Sequence, residues 1–591
     1  MTCKTMKQNE NDQNHKKEST PVVDDKPNGK SQIIIIAAKR ALPVPSRLAG
    51  GLFFHRGLMP DWKMGLQTGC KGRKLRKSCA IHGHDPVGNP DTMKRTLKLL
   101  TVLLLTPPAL LPAADLSKAS QPNILFIITD QQSYNMMSCM SNQWLHTPNM
   151  DKLASTGYRF EKTYCVNPVC QPSRFSLFTG HYASEVGVKN NSSFYNKLKV
   201  REIVSASGLG NIFRQAGYET LYSGKTHLYG RAKDASEYGF KQDSLDPYDG
   251  PAIYAEQVLA KFGKENRAKP FFMVLSFLNP HDICYKAGAD HRFPNELPAD
   301  NARETARLLA VKKVLAPEAY RRQIPPRRPN TAAISGEQPG MLIEASSRSW
   351  DDDQWNLYDW MYLRLTESVD FQIGRVLLAL EKSGLGDNTI IVFTSDHGDM
   401  EGAHGLTLKS VMFEECQRVP FIFAGKGIQR GCADKSTLVC NGLDLLPTLC
   451  DLCGIAPPSG LPGISLKPYL TGGGQKPGRQ YIFPESCNAY QVADGRYKYT
   501  IYELPGHPEL LTDLKENPGE TINYATDPAH GEIKATLQKA LLANLSKRLV
   551  FRMNIENGLA QQELFADLSK RGLAALPEDR TPEQVKKIGK N

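Results

Sequence analysis

Four apolar runs in this chain of 591 residues end on side chains that can do chemistry. NILFIIT leads into Asp130 and Gln131, TLYSG into Lys225 and His227, FFMVLSFLNP into His281, and TIIVFTS into Asp396 and His397. A fifth stretch, NPVCQPSRFSLFTG, places Cys170 two residues before Pro172 and four before Arg174. A bare cysteine nucleophile would require a histidine base and an oxyanion hole, and the chain has histidines to offer. The neighbours of Cys170 also suit a second role. Pro172 fits the first turn of a helix, whose free amides favour an anion, and Arg174 adds a planar cationic fork one turn on. Asp130 and Asp396, with the Gln131 carbonyl and a His397 nitrogen, form a donor set for a hard divalent cation. An Asp-Gln pair alone reads as a cap or a turn. Together with Cys170, Arg174, Lys225, His227, His281 and Lys409, these residues describe a metal ringed by cations. Such a site suits a tetrahedral oxyanion ester whose transition-state charge needs stabilising.

The elements that must position these groups follow from a recurring pattern, in which a helical period closes at a glycine and an apolar β-rich run follows. Residues 150–156 stop at Gly157, residues 211–216 stop at Gly217 before YETLYSGK, and a long pattern ending at Ser383 stops at Gly384 before TIIVFTSDHGD. The alternation predicts an α/β fold with a large mixed, mostly parallel sheet flanked by helices. If the strands share a direction, their polar endings gather along one carboxyl edge, where open α/β sheets hold ligands. Residues 281–350, rich in Pro, Arg and Ala, form an insertion over that edge, either a pocket rim or a solvated excursion. The run Asp351-Asp352-Asp353 caps the helix that begins near Trp355. From about residue 475 the segments shorten and Asp494-Gly495 signals a hairpin. The expectation is a small α+β subdomain over 475–591, with an antiparallel sheet and a helix near 530–548, after a catalytic domain over 121–470.

Of the formal net charge of +12, residues 1–92 hold +8, from 16 Lys/Arg and 8 Asp/Glu. Residues 93–114 hold +3, from three Lys/Arg and no acid, which leaves +1 for the rest. The basic balance belongs to the leader, and this excludes a nucleic-acid reading of the body of the chain. MKRTLKLLTVLLLTPPALLPAA, residues 93–114, has the build of a secretory signal peptide. Translation is therefore expected to begin at Met93, with residues 1–92 a non-native or disordered extension, and the product is expected to be exported, periplasmic or extracellular. The apolar run is short and broken by Pro107 and Pro108, which argues against a stable membrane span. Ten of the 13 cysteines follow the leader. Cys450 and Cys453 close an amphipathic helix and read as buried thiols or a local bridge, since a zinc site needs a second pair at similar spacing.

CQPSR at 170–174 matches the C-x-P-S-R signature, and the chain thereby resembles the type I sulfatases of the alkaline-phosphatase-like superfamily. NILFIITDQQ, GYETLYSGKTHL, FLNPHDI, SDHGDMEGAHGLTLKSVMFEE and DLLPTLCDLCGI continue the resemblance in order. It implies that a maturation enzyme oxidises Cys170 to formylglycine, whose hydrate attacks the sulfur of a sulfate monoester. It further implies that Asp130, Gln131, Asp396 and His397 hold one divalent cation together with the residue at 170, Ca2+ with Mn2+ or Zn2+ as alternatives. Asp396 also takes the proton of the attacking hydroxyl, and Arg174 orients the hydrate. Lys225, Lys409 and His281 grip the sulfate, His281 or a neighbouring lysine protonates the leaving alcohol, and His227 deprotonates the remaining hydroxyl. The implied substrate is a sulfated small molecule or a sulfated carbohydrate. Gln131 and His397 replace the aspartate and asparagine of many sulfatases and are shared with choline-sulfatase-like enzymes and phosphonate monoester hydrolases. Hydrolysis of a phosphonate monoester or a phosphodiester on the same scaffold is therefore the nearest alternative. A non-catalytic binder of sulfated glycan stands further off. His404 is expected to fix a loop or to reach the substrate.

Overall fold

Strand β1 (Asn123–Asp130) is buried along its whole length and divides two cores between its faces. Ile124, Phe126 and Ile128 point into one core, Leu125 and Ile127 into the other. A strand covered on both sides needs apolar residues at every position, and for this reason the run carries no polar alternation. In a computed structural model the chain is described over residues 121–549, apart from 188–189, 192–195, 231–233, 245, 287–302, 332–344 and 504–507. The expected extension and signal peptide at 1–114, and the chain after 549, lie outside the described residues.

The remaining strands are β2 (Gly157–Phe160), β3 (Thr163–Tyr164), β4 (Glu219–Gly224), β5 (Lys241–Gln242), β6 (Phe271–Pro280), β7 (Thr389–Ser395), β8 (Phe421–Gly425), β9 (Cys432–Asp434), β10 (Val439–Cys440), β11 (Ala489–Ala493), β12 (Tyr497–Tyr502) and β13 (Glu509–Asp513). The main sheet runs β5-β4-β6-β1-β7-β8-β2-β9. β1 pairs in parallel with β6 and β7, and β4 in parallel with β6, so four strands share one direction at the centre. β8 runs against both β7 and β2, which makes the sheet mixed. β3 and β10 form a separate parallel pair.

Six helices matter below: α1 (Pro148–Thr156), α2 (Cys170–Thr179), α3 (Gly250–Phe262), α4 (Asp352–Ser383), α5 (Asn441–Leu452) and α6 (Gly531–Leu549). α2 and α5 cover one face of the sheet through Phe175, Phe178, Leu445 and Leu449, while α1, α3 and α4 cover the other through Leu153, Leu259 and Ile373. Each such side chain contributes about 1.5–3 kcal/mol on burial. α4 begins as expected: Asp351 accepts from the Gln354 amide, the Gln354 side chain answers on the Asp351 amide, and Gly384 ends the helix at φ 71°.

The C-terminal sheet β11-β12-β13 is antiparallel, with the hairpin at Asp494-Gly495, and α6 packs on it through Leu537, Leu541 and Leu545. In the segment read as an insertion, the described part holds a helix over Arg303–Val314. Cys450 and Cys453 are unbridged buried thiols at the end of α5, which decides between the two readings given to them. No helix among the described residues is long and apolar enough to cross a membrane.

Candidate active site

The parallel pairing brings all four polar strand endings to one edge. Ile128 lies opposite Ser276 of β6, Thr129 opposite Ser395 of β7, and Gly224 of β4 also opposite Ser276. Gly224 has φ +96°, and a Cβ there would stand 2.1 Å from the Ser276 carbonyl oxygen, so only glycine lets β4 turn sharply at this point and deliver Lys225 inward.

Cys170 is the first residue of α2, at 0% exposure, and the helix ends at Gly180 with φ 72°. Its Sγ lies 3.1 Å from His397 Nε2, 3.0 Å from Lys409 Nζ and 3.6 Å from Asp130 Oδ1. Burial and Asp130 push the Cys170 thiol up, yet Lys225, Lys409 and His397 together hold it well below its ordinary value. The α2 amide end and these cations make position 170 a place that favours a negatively charged atom.

Arg174, one turn along α2 and likewise buried, uses its whole fork on the frame of the site. Nε donates to Asp396 Oδ2 and Nη2 to Asp130 Oδ2, both at 2.8 Å. Nη1 donates to Ser276 Oγ at 2.8 Å and to the Lys225 carbonyl at 3.1 Å. Arg174 therefore ties the two aspartates to each other and to β4 and β6, with four of its five N–H groups engaged in that frame. Ser173 donates to the Asp396 carbonyl oxygen.

Lys225 Nζ pairs with Asp130 Oδ2 at 2.7 Å, and His281 Nε2 stands 3.9 Å from Asp130 Oδ1. Burial and then Lys225 and Lys409 lower His281 to about 4. Asp130 is held well below the usual carboxylate range: burial opposes this, but Lys225, His281, Arg174 and Lys409 outweigh it. Asp396 goes the other way, raised to about 7 by burial and by the charge of Asp130. Two buried carboxylates, one of them kept from ionising freely by the other, are an electrostatic arrangement that a cation between them relieves.

The donor atoms fit such a cation. One atom each from Asp130, Cys170, Asp396 and His397 lies within 4.8 Å of the others, and all four residues are buried. His397 Nδ1 faces the Gly398 carbonyl oxygen at 2.9 Å, the partner that leaves the Nε2 lone pair toward the cluster. Gln131, expected as a further ligand, has φ 65°, and its Oε1 accepts from Lys409 Nζ at 2.5 Å and from Cys284 Sγ at 2.9 Å. His227 is brought to the same edge by β4, but among the described residues no hydrogen bond joins it to Cys170, and its Nδ1 has no hydrogen-bond partner there. His404 is buried, with its ring stacked on Phe413 at 4.1 Å and its amide donating to the Asn330 carbonyl, an anchoring role in its loop.

A model of the family described as Sulfatase matches residues 122–455, more than half of the chain. The chain belongs to the sulfatase family. A second model, N-sulphoglucosamine sulphohydrolase C-terminal, matches residues 402–547 of this sulfatase. A Δ4,5-hexuronate-2-O-sulfatase of Bacteroides thetaiotaomicron is 32% identical to it over 447 residues, covering 71% of this chain and 88% of that protein. An N-acetylglucosamine-6-O-sulfatase of the same organism is 30% identical, with 62% of this chain and 76% of that protein covered. Among solved structures, a 2-O GAG sulfatase superposes with TM-score 0.59 at 29% identity, over 72% of this chain and 92% of that one. A phosphonate monoester hydrolase of Agrobacterium radiobacter, 22% identical with TM-score 0.54, covers 73% of this chain and 96% of that one and shares the fold. The sulfatase is thus a sulfuric ester hydrolase with an alkaline-phosphatase-like fold.

Sequence reasoning missed several residues of the site. Ser276 sits inside an apolar run, where one small polar residue was the only signal. Cys284 follows His281 by one turn, and Asp399 and Tyr358 reach Cys170 only through Gln131 and Lys409. Tyr358 comes from the second turn of α4 and is brought in by tertiary packing alone.

Proposed function

We propose that this sulfatase removes sulfate from a sulfated carbohydrate, outside the cytoplasm, with residue 170 carried as formylglycine made by a maturation enzyme. The observation that carries the reading is the buried constellation at the start of α2: a nucleophile position flanked by a cation-binding donor set and by Lys409. The carbohydrate assignment is supported by the hexuronate and N-acetylglucosamine sulfatases among the relatives.

Asp130, Gln131, Asp396 and His397, together with residue 170, would hold the cation, for which Ca2+ is the proposed ion, with Mn2+ or Zn2+ as the alternatives a nitrogen ligand permits. When bound, it supplies Lewis-acid polarisation of the sulfate and of the nucleophilic oxygen. Formylglycine, as its hydrate, supplies one hydroxyl to attack sulfur and a second whose ionisation expels the sulfate.

The chain's own residues do the rest. Lys225 and Lys409 converge on the space beside residue 170 and hold sulfate oxygens as charge builds on them. Arg174 keeps both aspartates in place. A sulfate ester set among the lysines offsets the Lys225 and Lys409 charges that, after burial, hold His281 down, and the ring is the group assigned to protonate the leaving alcohol.

The test uses protein produced with a formylglycine-generating enzyme, with the state of residue 170 read from the mass of its peptide. Sulfate release is then compared on unsaturated hexuronate 2-O-sulfate, N-acetylglucosamine 6-O-sulfate, choline sulfate and an aryl phosphonate monoester. The expected outcome is turnover of a sulfated sugar by the aldehyde form and none by Cys170→Ala. Faster turnover of the phosphonate than of every sulfate would overturn the assignment.

A further inference from the structure

We propose that Asp399, supported by Tyr358, is a positioning residue that locks the Gln131 side-chain amide with its oxygen toward Lys409 and position 170. This inference rests on the assignment of Lys409 to sulfate binding.

The two ends of a glutamine amide have almost the same shape and opposite hydrogen-bonding character, so something other than packing must choose between them. The Gln131 main chain is already pinned: its amide donates to Asp396 Oδ1 at 3.1 Å and its carbonyl accepts from the Tyr362 hydroxyl at 2.6 Å. The side chain then lies between two chemically opposite neighbours. Nε2 donates to Asp399 Oδ2 at 2.6 Å, while Oε1 accepts from Lys409 Nζ at 2.5 Å and from Cys284 Sγ at 2.9 Å. A flipped amide would set its oxygen against a carboxylate and its NH2 against an ammonium, two repulsions in a buried place.

Asp399 can impose this choice because it is itself held. It is 0% exposed, the Tyr358 hydroxyl stands 2.9 Å from both carboxylate oxygens, and the Glu401 amide donates to Oδ1 at 2.8 Å. Its own amide donates to Ser133 Oγ at 3.0 Å. Asp399 touches neither Cys170 nor Lys409 in any hydrogen bond of the site and acts through Gln131. The chain of contacts Tyr358, Asp399, Gln131, Lys409 sets where the ammonium stands. Asp399→Asn removes the bias, because with its oxygen held by the Glu401 amide the new side chain presents NH2 to Gln131 where the carboxylate presents an acceptor.

The experiment is a double-mutant cycle on the matured full-length protein with Asp399→Asn, Gln131→Met and both together, read as kcat and KM on a sulfate ester. Stabilisation of each variant against heating by inorganic sulfate is measured in parallel. If Asp399 works through Gln131, Asp399→Asn lowers kcat/KM at least tenfold and weakens the response to sulfate, and adds less than about twofold to the Gln131→Met loss. Independent, multiplying losses, or an Asp399→Asn variant with wild-type kinetics, overturn the proposal. Should Asp399→Asn fail to fold, Tyr358→Phe keeps the carboxylate and loosens only its support. It is expected to give a smaller loss that also vanishes on the Gln131→Met background, and a loss that persists there overturns the proposal. A wild-type protein unresponsive to sulfate would instead count against the role given to Lys409, which separates the two failures.

Discussion

Replacing Lys409 by Met tests the sulfate-binding assignment most directly. In the structure Nζ donates to the atom at position 170 at 3.0 Å and to Gln131 Oε1 at 2.5 Å, in a site whose other groups are almost wholly buried. An ammonium about 4 Å from a developing unit charge contributes about 4 kcal/mol at an effective dielectric constant near 20. Loss of a single oxyanion donor from an active site costs about 2.7–4 kcal/mol. At about 1.4 kcal/mol per factor of ten, kcat/KM should fall by about 100- to 1000-fold. Stability should change little by comparison, because Cys284 still donates to the Gln131 oxygen and a lost hydrogen bond of this kind costs about 1 kcal/mol. Position 409 lies outside CQPSR, so the variant should mature like the wild type, and the peptide mass provides that control. The assay is initial-rate kinetics on one sulfate ester for two proteins matched in aldehyde content. A matched Lys409→Met protein whose kcat/KM stays within about threefold of wild type would refute the role, since an effect that small is below any charge-assisted hydrogen bond to a desolvated oxyanion.

Three further outcomes follow from contacts elsewhere. Ser276→Ala removes one partner of the Arg174 fork and leaves its two carboxylates, so denaturant unfolding should show a loss of about 1–3 kcal/mol while turnover persists. Chelation should lower the melting temperature and added Ca2+ or Mn2+ restore it, a response that Asp396→Asn should abolish because it removes a buried donor. Lys498, 1% exposed, pairs with Glu414 at 3.2 Å and Glu520 at 3.0 Å. Lys498→Met should therefore cost about 3–5 kcal/mol at pH 7.5 by leaving Glu520 without its cation and Glu414 with Arg418 alone. Burial and Glu414 already raise Glu520 to about 7 against the pull of Lys498. A carboxyl raised in the folded state takes up protons there first, so the loss should shrink as pH falls from 7.5 toward 5, and a loss that grows on acidification would contradict this.

What the sequence disclosed and what it withheld divide along a physical line. Strand β1 could be read because a strand buried on both faces must be apolar at each residue, and the polar group that ends such a run stands out against it. Asp130, Lys225, His281 and Asp396 were all visible in this way, and the parallel registers then made them neighbours. Cys170 was visible for a local reason, the motif that opens its helix. The lock on Gln131 was not, since it depends on Tyr358 and Asp399, which are 41 residues apart, with the tyrosine inside a pattern whose period reports only that a helix is present. The buried Lys498, Glu414 and Glu520 escaped for the same reason: a charge in a strand or loop reads as solvated until its partners are known. One consequence is functional. Glu414 lies five residues beyond Lys409, its amide donates to Glu520 at 2.7 Å, and the Gln491 side chain of β11 donates to the Met412 carbonyl at 3.0 Å. The loop that carries Lys409 to residue 170 is thus held from behind by the C-terminal sheet, and a substitution in that sheet should reach Lys409 through the backbone of residues 409–414.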